Sequence, residues 1–591
     1  MARLFKGAEF LVTDATGADV FTPEDLSPEQ RQIADTTDAF VKNEVLPVYD
    51  RLEHQEPGLA AALMRKAGDA GLLMIDAPQE YGGLELDKVT SVLAADRMGA
   101  AGAFSVAYSA HSGIGTLPLV YYGTEAQKRK YLPKIISGEW TAAYCLTEPG
   151  AGSDALGGTA SAVLSPDGKH YLLDGTKQFI TNGGFAQLFT VFAKIDHKHF
   201  TAFLVERSFP GLTIGPEEKK LGIKGSSTTS VILESAQVPV ENVLGEIGKG
   251  HKIAFNVLNV GRYKLGAAVN GAARKALAVG AAYANERKQF GVPISSFGAI
   301  REKLADRTAD FFASEALVYR LAGMIDDRLA TLSKDTPRYY EAYQAAIEEY
   351  AIESAIAKVY CSEVLADLVD DVVQIHGGYG YTQEYVAERY YRDERINRIF
   401  EGTNEINRLL IPGTILRRAL KGELPVQREA MKALDALMTP TLDELDASDA
   451  LAAEKATLAN LKKVFLLLAG AAAQRYGEKL KDEQETLLAL ADVVIQVFAM
   501  ESAVLRAEKT ASSRTATGRA LAAAAVKVQA FSAAEKVATA ARRAAFYVAE
   551  GDTATMLLGG IRRFTKYDAT GLLAAKRALA EAVLAGERYP F

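Results

Sequence analysis

The stretch Ile399-Phe400-Glu401-Gly402-Thr403-Asn404-Glu405 sets one carboxylate directly before a glycine and a hydroxyl, with Ile396, Ile399 and Phe400 as apolar neighbours. Apolar surroundings raise a carboxylate pKa toward the working pH of a general base. Gly402 allows close approach of backbone and ligand. The stretch closes a long tract with no proline between Pro293 and Pro337 or between Pro337 and Pro412. Ala-rich segments such as Leu265 to Ala284 suit close helix packing, so residues 251–415 are expected to form a four-helix bundle.

Toward the N-terminus the texture changes. Phe189-Thr190-Val191-Phe192-Ala193 and Thr201-Ala202-Phe203-Leu204-Val205 read as strands, and Ser165-Pro166-Asp167-Gly168 reads as a turn, which predicts a β domain over residues 141–250. Residues 1–140 read as helical. Ser27 is the expected N-cap and Pro28 the first helical position. Turn signals at Pro57-Gly58 and Tyr81-Gly82-Gly83 separate later helices. Beyond residue 416 the chain has no proline between Pro440 and Pro590, and Ala520 to Ala545 is strongly Ala-rich, so residues 416–591 read as a further helical block after an acidic, polar link at 439–453. The fold class is therefore mainly α with a β domain.

The 591 residues suggest three or four domains. A net charge of -7 disfavours nonspecific nucleic-acid binding, which needs a basic surface. The two cysteines, Cys145 and Cys361, provide no disulfide framework, as expected in a reducing compartment. The histidines show no metal-ligand spacing, and His197 and His199 read as a solvated turn, so no metal is expected. No apolar run approaches the ~20 residues of a membrane span, and neither a signal peptide nor a transit peptide is read. A cytoplasmic bacterial enzyme is the simplest expectation.

Five further segments carry chemistry. Tyr144 to Asp154 is a Gly- and Ser-containing loop whose backbone N–H groups can meet polar ligand edges; its bland reading is a Pro-Gly turn. Lys177-Gln178-Phe179-Ile180-Thr181-Asn182-Gly183-Gly184 reads as a strand ending in an Asn-Gly turn. Asn285-Glu286-Arg287-Lys288-Gln289-Phe290-Gly291 offers an arginine fork to phosphate, or a solvated helix end. Val373-Gln374-Ile375-His376-Gly377-Gly378 places two glycines after a helix, where a diphosphate can approach closely; with no βαβ unit around it, this is not a dinucleotide fingerprint. Leu258-Asn259-Val260-Gly261-Arg262 sets an arginine on a helix, with a carboxylate-paired arginine as the bland reading.

In order along roughly residues 30–415, these motifs resemble the acyl-CoA dehydrogenase family, nearest its very-long-chain branch. The block after 416 matches that branch by length and helical character. The resemblance implies FAD as cofactor and Glu401 as the base that removes the α proton of an acyl-CoA. It implies FAD contacts from Tyr144, Leu146, Thr147, Ser153, Phe179, Thr181, Arg287, Gln289, Phe290, Gln374, Gly377, Gly378, Thr403 and Glu405, and substrate contacts from Ser153, Asn259, Arg262 and Gly402. Some branches carry the base one residue before the arginine of the Asn-x-Gly-Arg segment. Gly261 stands there and cannot serve. Phe179 replaces the tryptophan usual in long-chain relatives, keeping an aromatic face while losing the indole N–H. His376 replaces an apolar residue and reads as a tolerated neighbour.

The resemblance further implies a homodimer, with Arg287 reaching a partner's FAD, and electron-transferring flavoprotein as electron acceptor. Small Ser109 and Ala110, where the acyl channel narrows in medium-chain relatives, suit long chains. Three rivals share the fold. An acyl-CoA oxidase would release peroxide. A DNA-associated alkylation-response flavoprotein would bind DNA in a salt-sensitive way. A noncatalytic assembly factor would lack turnover. Membrane-surface attachment occurs among long-chain relatives, but no strongly basic amphipathic segment supports it here.

Overall fold

The computed structural model describes residues 3–439, 445–446, 448–511 and 514–591; part of the acidic link expected at 439–453 lies outside them. Helix α1 (Pro28–Phe40) opens as its sequence predicts. The Ser27 hydroxyl accepts from the Gln30 N–H at 3.2 Å, and the Gln30 side chain accepts from the Ser27 N–H at 2.9 Å. This reciprocal cap satisfies donors that a helix start leaves open. Helices α2 (Lys88–Met98) and α3 (Ala103–Ser109) form the core of the N-terminal part.

The chain then enters a sheet of eight strands: β1 (Ala142–Cys145), β2 (Ser161–Leu164), β3 (His170–Thr181), β4 (Leu188–Ile195), β5 (His199–Glu206), β6 (Leu212–Ile214), β7 (Thr228–Pro239) and β8 (Val243–Leu244). Their order is β6-β7-β3-β2-β4-β5-β8, with β1 pairing β4 in parallel. Strand β4 is buried on both faces. Leu188 and Phe192 join the large helical core, whereas Phe189, Val191 and Ala193 fill a second core inside the sheet domain. The period-2 alternation of a strand divides one apolar run between two cores.

Four helices follow as the bundle: α4 (Gly250–Glu286), α5 (Gly298–Leu329), α6 (Ala351–His376) and α7 (Asn404–Leu420). Small residues set the spacing. A Cβ at Gly271 would lie 1.7 Å from the Asp96 carbonyl oxygen, so only glycine lets α4 sit this close to α2. The C-terminal block contains α8 (Ala452–Tyr476), α9 (Gln484–Thr510) and α10 (Ala516–Val548). The expectation that no run is apolar enough to span a membrane needs correction. The helical stretch Ala452–Asp482, which begins with α8, and α9 are both long and apolar enough by length and composition. Both are mostly buried, because a helix enclosed by other helices is apolar on most sides.

The first described residues form an arm that the sequence did not announce. Ala8 N–H donates to Glu353 at 2.6 Å and Gly17 N–H to Glu508 at 2.8 Å, and the rings of Phe10 and Phe498 lie 4.7 Å apart. The arm thereby ties α6 to α9.

Candidate active site

Glu401 lies in the short link between the turn Arg395–Arg398 and α7. Its φ is +58° and that of Gly402 is +77°, a left-handed pair that turns the chain sharply. A non-glycine residue pays for this conformation, so the surroundings must hold it. They do so through the backbone carbonyl. The Glu401 carbonyl accepts from Arg262 Nε at 3.3 Å and from Asn407 Nδ2 at 3.3 Å. The same amide donates to the carbonyls of Gly402 and Thr403 at 2.9 and 3.0 Å. Thr403 caps α7 by accepting from the Ile406 N–H at 3.2 Å.

The carboxylate itself is left free. Glu401 Oε2 is buried with no hydrogen-bond partner. A Cβ at Gly261 would lie 2.5 Å from that oxygen, so the carboxylate rests on the bare backbone face of α4. Burial pushes the Glu401 pKa up to about 7, opposed by the positive charges of Arg262 and Lys358. Among the described residues nothing accepts the Glu401 backbone N–H. The link therefore presents a desolvated base and an open donor together.

A second group forms on the sheet. The register of β3 against β7 shifts between Lys177 and Ile180, which leaves a bulge at Gln178-Phe179. Phe179 has φ +59° and is 60% exposed, because a bulge re-aims the side chain it carries. Gln178 N–H donates to the Thr147 carbonyl at 2.9 Å, which clips the 144–154 loop to this strand. Beneath them Lys177 and Glu148 form a buried ion pair at 2.6 Å, and Glu148 also accepts from the Thr159 N–H at 2.6 Å. Tyr144, Leu146, Thr147 and Thr181 are partly buried, and Ser153 is exposed on the same loop.

A third group is separate. Arg287, Gln289, Gly377 and Gly378 line one open groove with His376 and Tyr379. Arg287 stands 5.5 Å over the Tyr379 ring, Gln374 is exposed, and Phe290 is 94% exposed. His376 is buried, stacks on Tyr283 at 4.0 Å and bonds the Val372 carbonyl at 2.8 Å, so it is structural. Glu405 is exposed in the first turn of α7. Asn259 and Arg262 are both buried and engaged with each other, Arg262 Nη1 donating to Asn259 Oδ1 at 3.1 Å.

Sequence reasoning missed Lys358 and Asn407. Lys358 is fully buried on α6 and donates to Asn404 Oδ1 at 2.6 Å; burial pushes its ammonium down to about 7. Asn404 leads on to Glu363 at 3.0 Å, which forks with Arg408, and Arg408 reaches Asp492 on α9 at 2.8 Å. Also unforeseen is a buried ionic cluster beside the 108–113 segment. Asp76 is held by Lys88 and Lys264, each at 2.5 Å, and Lys264 lines a small cavity with Tyr108, Ser109 and Ser112.

Helical layers around an inserted sheet, a desolvated carboxylate on the bundle and an outward aromatic on a bulge fit the class that the sequence motifs resemble, the FAD-dependent oxidoreductases. Comparison with known proteins agrees. Models of the acyl-CoA dehydrogenase N-terminal, middle and C-terminal domains match residues 27–139, 143–236 and 248–416, and a further acyl-CoA dehydrogenase C-terminal domain model matches 460–563. The chain belongs to the acyl-CoA dehydrogenase family.

The "Probable acyl-CoA dehydrogenase" of Bacillus subtilis (strain 168) is 47% identical over 588 residues, covering 100% of this chain and 99% of that one. The crystal structure of acyl-CoA dehydrogenase complexed with FAD from Bacillus anthracis matches at TM-score 0.96 and 49% identity, over 99% of this chain and 100% of that one. The mitochondrial very long-chain specific acyl-CoA dehydrogenase of Mus musculus is 38% identical over 436 residues, which is 71% of this chain and 62% of that protein. The residues present fit FAD. The exposed Phe179 ring and the arginine-bearing groove offer, in turn, an apolar face and a phosphate partner.

Proposed function

We propose that the protein dehydrogenates long-chain acyl-CoA to trans-2-enoyl-CoA in fatty-acid β-oxidation, in the bacterial cytoplasm. Glu401 accepts the pro-R α proton. Bound FAD supplies the acceptor for the β hydride, and electron-transferring flavoprotein takes the electrons onward. The Glu401 N–H donates to the thioester oxygen as enolate character develops. Phe179, Thr181, Thr147, Tyr144, Leu146 and Ser153 seat the flavin. Arg287, Gln289, Phe290, Gln374, Gly377 and Gly378 hold the adenine end, and the exposure of Phe290 favours a partner subunit there, hence a homodimer. Ser153, Asn259, Arg262 and Gly402 contact the acyl-CoA, and Arg262 also holds the 401 link through the Glu401 carbonyl. The observation that carries the reading is the carboxylate of Glu401, desolvated and unpartnered against Gly261.

Chain length is tested by initial rates on C4 to C18 acyl-CoAs with electron-transferring flavoprotein as acceptor. The optimum is expected at long chains, in keeping with small Ser109 and Ala110; a short-chain optimum would refute it.

The pH profile follows from the site. Burial raises the carboxyl pKa to about 7, so the basic form predominates only above it. For the free enzyme, kcat/KM is expected to fall about tenfold per pH unit below that value and to level off above it. Replacing Lys358 with methionine removes a cation that favours the carboxylate, and the limb is expected to move to higher pH. An unmoved limb would show that Lys358 does not act on Glu401.

A further inference from the structure

Away from the Glu401 link, a cavity of about 510 Å³ opens where residues 23–26, α1, α2, α4, α5, α9 and residues 588–591 meet. Six arginines line it: Arg31, Arg97, Arg274, Arg506, Arg514 and Arg588. Three are committed to carboxylates. Arg274 grips Asp96 at 2.6 Å and Glu315 at 2.7 Å. Arg506 binds Glu24 at 2.9 Å and Glu315 at 2.7 Å, and Arg514 also binds Glu24.

Of the other three, Arg97 has one longer ion pair, and Arg31 and Arg588 have none among the described residues. Arg31 donates only to the backbone carbonyls of Leu26 and Glu24, at 3.1 and 3.4 Å. Arg97 pairs with Asp38 at 3.6 Å through Nη1, while its Nε is buried with no partner. Arg588 is exposed and has no ion pair among the described residues. Guanidinium groups therefore outnumber the carboxylates that neutralise them, and a carboxylate on Phe591 would still leave them in excess.

Like charges gathered in a cavity repel, and the cost is relieved by an anion that all of them can reach. Guanidinium forks match phosphate oxygens in pairs. Aromatic groups complete the lining. Tyr319 and Tyr589 are buried there, and the Phe591 ring lies 5.3 Å from the Arg514 guanidinium. The volume falls within the roughly 300–1,000 Å³ of small-molecule sites. We propose that this cavity binds the diphosphate of a nucleotide, with the base resting against the partly exposed Phe591 ring. The site lies apart from the groove of Arg287 and from Glu401, and it stands or falls independently of the dehydrogenase reading. Its ligand would join the N-terminal part, the bundle and the C-terminal block, so occupancy should stabilise the assembled chain.

The test is calorimetric titration of the FAD-loaded enzyme with ADP, inorganic pyrophosphate and adenosine, for wild type and the R31Q/R588Q variant. Both replaced side chains are exposed and outside any ion pair, and the melting of the unliganded variant checks that its fold is kept. One site per chain is expected for ADP and pyrophosphate, none for adenosine alone, and ADP affinity about tenfold to a hundredfold weaker in the variant. A rise in melting temperature with ADP in wild type, lost in the variant, would support the same site. Pyrophosphate binding as tightly as ADP would keep the anion site and remove the role given to the aromatic lining. Absence of saturable binding overturns the proposal. Equal ADP affinity in both proteins does so too, because it would assign the binding to the CoA or FAD sites.

Discussion

Anaerobic mixing of the Glu401→Gln enzyme with palmitoyl-CoA is expected to bleach the bound flavin at least about 10³-fold more slowly than wild type. The amide has the shape of the carboxylate but no basicity at neutral pH. Little else should change. Glu401 is held through its backbone carbonyl by Arg262 and Asn407, and its free Oε2 loses no partner on replacement. The flavin spectrum and thermal stability of the variant are therefore expected to match wild type. Bleaching at the wild-type rate would move the base to another residue.

The second large effect is expected at a residue with no side chain. An alanine at position 261 would place a methyl group 2.5 Å from Glu401 Oε2 and 2.8 Å from Cδ. The carboxylate must give way, and misplacing a catalytic group by about 1 Å costs on the order of 10²-fold in rate. Helix propensity acts in the opposite direction. Alanine in a helix interior is favoured over glycine by roughly 0.5–1 kcal/mol. The Gly261→Ala enzyme should thus be slow yet no less stable, a combination read by kcat alongside thermal melting. Undiminished kcat would mean that the carboxylate moves freely and that Gly261 does not position it.

Much of the architecture is legible in local pattern. Ser27-Pro28 announces a helix start, alternation over 189–193 announces a strand, and proline-free Ala-rich tracts announce the bundle. The residues of the candidate site could be named because each sits in a short motif. What the sequence did not reveal depends on partners far away along the chain. Phe179 turns outward because β3 slips by one residue against β7, some fifty residues later, and nothing in an isolated phenylalanine encodes a positive φ. Lys358 looks like an ordinary helix residue until Asn404 and the Glu401 link fold over it. Asp76, Lys88 and Lys264 form one cluster from three remote positions. The two apolar helices of the C-terminal block were passed over because isolated charges interrupt their apolar runs, and their burial depends on helices far away in sequence.

The N-terminal arm carries a consequence for synthesis. Gly17 meets Glu508 across 491 positions of sequence. At ribosomal speeds of about 5–20 residues per second, the arm emerges roughly 25–100 s before its acceptor helix exists. Throughout that interval Phe10, buried in the finished molecule, lacks the Phe498 ring on which it packs. Closure of the structure is therefore a late event governed by the last third of the message. Slow translation of that third would lengthen the time in which a chaperone, or another nascent copy, competes for the first dozen residues.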